Sequence, residues 1–233
     1  MKTAVITGAT KGMGRAVAEK FASEAFNLAI CAKDKNELEN LAGYLKDQYG
    51  VSVFTMPCDM GLKEDVMAFA AAVTQQFERL DVLVNNAGIF IPGTIEHEKD
   101  GAFERQIAVN VGGPYHLTRG LVQLLLDTPH SHLFNICSVA SIKPVASAAA
   151  YTVSKYAAYG LTQLCREHFK NTQVKVTAIL PGSTLTDSWS GTDIPENRFV
   201  RAHDVANAIW AAYNTSVGAV VEEIRIMPQE GEI

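Results

Sequence analysis

Cysteine is scarce in this chain of 233 residues: Cys31, Cys58, Cys137 and Cys165 stand at least 27 positions apart. With no CxxC pair and no dense framework, a secreted disulfide scaffold is excluded and a reducing compartment is the simpler setting. Charge is thin as well. Charged residues make up 19% of the chain, and 20 Lys plus Arg against 25 Asp plus Glu leave a net charge of −5. No basic field exists to attract phosphate backbones or anionic lipid, so nucleic acid is not an expected partner. Nowhere do 18 apolar residues run together, which argues against a transmembrane helix. The amino-terminal apolar run stops at Thr7-Gly8, too short for a signal-peptide core, and a cytoplasmic location is expected. Repeats, charge blocks and low-complexity linkers are lacking too, so residues 1–233 read as a single domain.

What the chain does have is apolar mass, 48% of its residues, arranged in a recurring order. Short β-rich runs occur at Thr3 to Thr7, Asn27 to Ala32, Val51 to Met56, Asp81 to Asn85, His132 to Cys137, Val174 to Leu180 and Ala219 to Ile226. Helical spacing fills the intervals: Gly14 to Ala25, Lys35 to Tyr49, Leu62 to Glu78, one long stretch from Ala102 to Leu126, Tyr151 to Lys170, and Ala202 to Tyr213. The first strand runs are continuous rather than alternating, so both faces must be covered, as in a parallel sheet between helical layers. The fold class is α/β, a Rossmann-like doubly wound sandwich.

Directly after the first strand comes TGATKGMG, Thr7 to Gly14, leading into a helix. Gly8 permits a tight turn, Gly12 lets backbone approach a pyrophosphate, and Gly14 lets helix and strand pack closely. Free N–H groups at the helix start favour phosphate. The second strand ends at Ala32-Lys33-Asp34, where an acid selects NAD by binding the ribose 2′-hydroxyl. With Ala32 at the selecting position, Lys33 could bind a 2′-phosphate and Lys11 could serve as a second clamp, which favours NADP(H). Asp34 keeps NAD(H) open if the strand runs one or two residues further.

Two more features carry chemistry. Tyr151 and Lys155 stand four apart at the start of a helix, so they share a face. A phenol is a poor acid or base at neutral pH unless a cation stabilises its phenolate, and Lys155 is that cation. Ser138 follows a strand at the carboxyl edge, where such sheets bind ligands. Pro114, lacking an N–H, leaves the carbonyl of Asn110 without its helical partner and free to hold a water, or simply kinks the helix. The histidines at 97, 116, 130, 132, 168 and 203 show no HExxH or paired-ligand spacing, so no metal is expected. Cys137, beside Ser138, reads as a packed thiol.

TGATKGMG, NNAG (Asn85 to Gly88), Asn110, Ser138, YTVSK (Tyr151 to Lys155) and PGSTLT (Pro181 to Thr186) together resemble the short-chain dehydrogenase/reductase family over nearly the whole chain. The three residues between Gly8 and Gly12 match its shorter type. The resemblance implies strand order 3-2-1-4-5-6-7 and a nicotinamide cofactor. Its contacts would be Gly8, Thr10, Lys11, Gly12, Met13 and Gly14, then Lys33, Asp59 at the adenine with Met60, and Asn86, Ala87 and Gly88 on the ribose side. Tyr151, Lys155, Pro181, Gly182, Thr184 and Thr186 would complete the set, Thr184 standing where a small apolar residue is usual. It further implies a catalytic set of Asn110, Ser138, Tyr151 and Lys155. Ser138 and Tyr151 would bind a carbonyl oxygen, Tyr151 would donate the proton, and water on Asn110 would relay protons to Lys155. The substrate would be a carbonyl compound or alcohol, and 3-oxoacyl thioesters, small ketones or aldehydes, and pterin-like heterocycles stay open. The segment Ser183 to Arg201 would form a substrate lid. A homodimer or homotetramer is expected through Ala102 to Leu126 and Tyr151 to Lys170, by way of Leu121, Leu124, Leu125, Tyr159, Leu161 and Leu164. The rival reading is a cofactor-sensing binding protein without turnover, against which the intact four-residue set speaks.

Overall fold

The computed structural model describes residues 1–189 and 191–233. Strands β1 (Thr3–Thr7), β2 (Asn27–Ala32), β3 (Val53–Pro57), β4 (Val82–Asn85), β5 (His132–Ile136), β6 (Lys175–Pro181) and β7 (Glu223–Ile226) alternate with helices. These are α1 (Gly12–Ser23), α2 (Lys35–Tyr49), α3 (Lys63–Gln76), α4 (Ala102–Ile107), α5 (Gly113–Asp127), α6 (Ala149–Phe169) and α7 (Ala202–Tyr213). All seven strands lie parallel in one sheet of order β3-β2-β1-β4-β5-β6-β7, as expected.

The period-2 geometry of a strand sends neighbouring side chains to opposite faces, and the core divides accordingly. On β1, Ala4 and Ile6 join Phe21 of α1, Leu38 of α2 and Ile209 of α7. Val5, between them, joins Phe69 of α3, Leu121 of α5 and Phe169 of α6 on the other side. This two-sided burial is why the central strands carry continuous apolar runs. Each large side chain so buried contributes about 1.5 to 3 kcal/mol.

Local chemistry sets the edges that matter for the site. β2 stops at Ala32, and two residues later Asp34 caps α2, its carboxylate accepting the Glu37 N–H at 2.9 Å. Gly50, at φ 67°, ends that helix in the left-handed region.

Three expectations need correction. The single helix from Ala102 to Leu126 is broken by a π turn over Ala108–Gly112, where the Gly113 N–H reaches the Ala108 carbonyl. Pro114 has no N–H to return to Asn110, so the ladder widens by one residue just before it. The last strand begins at Glu223 rather than Ala219, because the Ala219 N–H closes a turn onto the Ser216 carbonyl before pairing with β6 begins. Finally, Leu121 and Leu125 are fully buried in the chain's own core and offer nothing to a partner. Leu124 and Leu161 are half-buried, the Tyr159 hydroxyl is bonded to Glu223, and Leu164 alone of that set stands well exposed. The large apolar groups these helices leave in solvent, among the described residues, are Phe103, Tyr115, Leu126, Val153, Tyr156 and Leu164. Among the described residues, no helix is long and apolar enough to cross a membrane.

Candidate active site

A cavity of about 680 Å³ runs along the carboxyl edge of the sheet, from the ends of β2 and β3 to the ends of β5 and β6. The glycine loop forms its floor. Gly8 (φ +62°) and Gly12 (φ +52°) both occupy the left-handed region, and a Cβ on Gly12 would fall 2.9 Å from the Thr186 Cγ2. Gly14 does not line the cavity; a Cβ there would lie 2.2 Å from the Gly8 carbonyl oxygen, so its role is close packing of α1 under the loop. Asn86 fixes the loop from β4, its side-chain amide donating to the Thr7 and Gly8 carbonyls at 2.9 and 3.1 Å. Thr7 returns the support, its hydroxyl oxygen accepting the N–H groups of Asn86 (3.0 Å) and Ala87 (2.9 Å). Met13, Met60, Ala87, Gly88, Pro181, Gly182, Thr184 and Thr186 all line the cavity, whereas Thr10 faces an adjoining groove.

At the adenosine end, Ala32, Lys33 and Asp59 line the wall, while Asp34 is committed to its helix cap. Both oxygens of Asp59 accept from the Arg105 Nη2 at 2.8 Å, the Gly61 N–H donates to one of them at 2.8 Å, and the Lys33 ammonium stands 3.6 Å away. Burial pushes the Asp59 carboxyl up, but Gly61, Arg105 and Lys33 together outweigh it and hold it below the usual carboxylate value. Lys11 pairs with Glu37 at 2.7 Å and lies 3.9 Å from Asp187. The hydrogen bond and charge of Glu37 raise the Lys11 ammonium above its ordinary value.

At the reacting end, β5 and β6, paired up to Ile136 and Ile179, deliver Ser138 and Pro181 to the cavity, each two residues beyond that pair. The buried Ser138 Oγ accepts the Ala140 N–H at 3.1 Å, which leaves its own proton for a ligand. Helix α6 brings Tyr151 and Lys155 to the same wall. The Lys155 ammonium is buried and donates to the Ile136 carbonyl at 3.0 Å, its one hydrogen bond among the described residues. It lies 5.7 Å from the centre of the Tyr151 ring, which also meets Phe90 edge-on at 4.9 Å. Asn110 sits behind the wall. Its side chain clamps the backbone of Ile89, accepting the N–H at 2.8 Å and donating to the carbonyl at 3.0 Å, and also donates to the Ser154 hydroxyl at 2.9 Å. A Cβ on Gly88 would come within 3.3 Å of the Asn110 Oδ1 and 3.6 Å of the Lys155 Nζ, so these groups converge on one point. The Cys137 thiol is buried and raised chiefly by that burial, which makes it inert beside Ser138.

Several site residues escape a sequence reading. Arg105 is 46 positions from Asp59 and carries no motif. Ser154, buried beside Lys155, was visible only as the fourth letter of YTVSK. Glu232 returns from beyond β7 to accept from the Ser183 N–H (3.2 Å) and hydroxyl (3.0 Å). Of the expected lid, Thr184 bridges to Val200 and Trp189 packs edge-on against the buried Phe199; Ser190 lies outside the described residues. Among the described residues, no cluster of three metal-ligating side chains occurs.

The fold and cavity define a Rossmann-type α/β protein with its ligand cleft at the carboxyl edge of the sheet. Comparison makes the class specific. The family model for short chain dehydrogenases matches residues 2–196, and the chain belongs to that family of oxidoreductases. It is 28% identical over 227 residues to an uncharacterized oxidoreductase of Staphylococcus epidermidis, covering 97% of both chains. Among solved structures, the alcohol dehydrogenase of the archaeon Thermococcus sibiricus, complexed with 5-hydroxy-NADP, superposes with a TM-score of 0.92 at 26% identity, covering 100% of this chain and 99% of that one. The L-sorbose reductase of Gluconobacter frateurii, complexed with NADPH and L-sorbose, does so with 0.90 at 26% identity, covering 97% and 95%.

Proposed function

We propose that this protein is an NADP(H)-dependent carbonyl reductase or alcohol dehydrogenase in which Tyr151 is the general acid and base. The observation that carries this reading is the meeting of Ser138, Tyr151 and Lys155 on one wall of a cavity whose far end holds the glycine loop and Lys33. The cradle suits a dinucleotide: Gly8 and Gly12, in the left-handed region, line the cavity with bare backbone, and the buried Lys155 ammonium has donors to spare for ribose hydroxyls. The two solved relatives named above, bound to NADPH or a derivative of NADP, support the choice of cofactor.

When bound, the nicotinamide supplies or accepts the hydride at the substrate carbon. The Ser138 hydroxyl donates a hydrogen bond to the substrate's carbonyl oxygen. Tyr151 donates a second and passes its proton as negative charge develops there. The phenolate that remains is offset by the Lys155 ammonium. Asn110 and Ser154 keep the loop after β4 and the first turns of α6 in register, so that Lys155 stays beneath Tyr151. In the reverse direction Tyr151 takes the proton from the alcohol.

The same reading takes residues 1–233 as a single cytoplasmic domain that assembles into a dimer or tetramer. The test is a panel of ketones and aldehydes with NADPH, followed by loss of reduced-nicotinamide absorbance, in the parent and in Tyr151→Phe. The variant should bind NADP+ normally and turn over about 100-fold more slowly or worse. Turnover within about threefold of the parent would refute the assignment, since loss of a general acid costs far more.

A further inference from the structure

We propose that Glu37 is a determinant of cofactor choice that works against the 2′-phosphate, by holding Lys11 in an ion pair so that Lys33 alone reads that phosphate. The inference rests on the NADP(H) reading above and refines it.

Two ammonium groups line the adenosine end, and their surroundings differ in net charge. Around Lys33 stand Asp59 and Arg105, with Asp59 already gripped by Arg105 through both oxygens at 2.8 Å and Lys33 the looser partner at 3.6 Å. Asp65 adds a second carboxylate, on the Asp59 N–H at 3.0 Å, but the one ion pair Lys33 makes among the described residues is the long one to Asp59, so its ammonium can turn to a ligand. Around Lys11 stand Glu37 at 2.7 Å and Asp187 at 3.9 Å, two carboxylates to one cation, since Arg15, which lines the same groove, is itself paired with Glu19 at 2.9 Å. That corner is net negative before any phosphate arrives. A phosphate that recruits Lys11 must break the shorter of its ion pairs and leave Glu37 uncompensated nearby.

Glu37 is also held in place. It lies in the first turn of α2, and its N–H is fixed by the Asp34 cap at 2.9 Å, directly after the strand end that presents Ala32 and Lys33 to the cavity. The main cavity and the adjoining groove share Lys11, Gly12 and Asp187, and Glu37 lines only the groove. The pair therefore draws the Lys11 ammonium toward the groove and away from the adenosine wall. The two carboxylates thus differ in effect: Asp59, neutralised by Arg105, leaves Lys33 available, whereas Glu37 does not leave Lys11 available.

The test is calorimetric binding of adenosine 2′,5′-bisphosphate and adenosine 5′-monophosphate, whose affinity ratio measures reading of the 2′-phosphate without any turnover. Four chains are compared: the parent, Glu37→Gln, Lys11→Ala and the double variant. Glu37→Gln should raise the ratio about tenfold, the gain of one charge-assisted hydrogen bond, while Lys11→Ala in the parent should change it less than about threefold. In the double variant the gain should vanish, because it depends on a freed Lys11. An unchanged ratio in Glu37→Gln overturns the proposal. So does a gain that survives in the double variant, which would make Glu37 a source of repulsion only. A parent that does not distinguish the two nucleotides refutes the NADP(H) reading, and Glu37→Gln still decides the proposal by gaining or not gaining discrimination.

Discussion

Acidification should weaken the fold through one histidine at the centre of the sheet. His132 opens β5 and is fully buried, stacked on Phe134 with ring centres 3.9 Å apart. Its Nε2 lies 2.7 Å from the Thr177 hydroxyl, which spends its single proton on the Val221 carbonyl, so Nε2 carries the hydrogen and donates. Nδ1 is left buried without a partner among the described residues. Protonation would place a charge on Nδ1 in that site, near the Lys175 ammonium, itself tied to Thr215 and Ser216. Burial first, and Lys175 second, push the imidazole from 6.5 down to about 3. The folded state thus binds fewer protons than the unfolded chain between those values, and stability falls as pH drops through that window. At pH 5 the loss relative to neutral pH is about 2 kcal/mol, approaching about 5 kcal/mol below pH 3. Urea unfolding of the parent and of His132→Gln, which keeps a donor for Thr177, isolates the effect from that of the carboxylates. The parent should lose about 2 kcal/mol more than the variant between pH 7 and pH 5. Profiles parallel to within about 0.5 kcal/mol would refute the reasoning, for a group that titrates alike in both states contributes no slope.

Other outcomes follow from the site. Lys155→Ala should lower turnover by about 100-fold and weaken NADP+ binding about tenfold, since it removes both the charge beside Tyr151 and a buried donor; steady-state kinetics and calorimetry separate the two. Gly14→Ala should destabilise the chain by about 2 to 4 kcal/mol in urea, because the new Cβ meets backbone that cannot move aside. Arg105→Ala should raise the Asp59 carboxyl toward its ordinary value, visible in a carbon-detected NMR titration; an unmoved Asp59 would mean that Gly61 and Lys33 suffice. Light scattering at micromolar concentration should give a dimer or tetramer that Tyr156→Glu weakens, since Tyr156 belongs to the exposed apolar face of α6; a mass of 25.2 kDa in the parent would exclude assembly.

Residues adjacent in the chain carried most of the architecture. Covalent spacing by itself places Gly8, Gly12 and Gly14 on one loop, Tyr151 and Lys155 on one helix face, and continuous apolar strands between two helical layers, because these depend on backbone periods of 2 and 3.6. The end of β2 at Ala32 was legible for the same reason. Which partner a long side chain takes was not. Arg105 reaches Asp59 only because α4 packs beside the loop after β3, and Lys11 meets Glu37 only because α2 starts where β2 ends next to the glycine loop. The buried fate of Leu121 and Leu125 depended on which face of α5 turned to α3 and the sheet, and an apolar stripe on a helix does not say which neighbour covers it. The pairing of charges and the choice between core and surface are settled by distances across the sheet, and those exist only once the chain has folded.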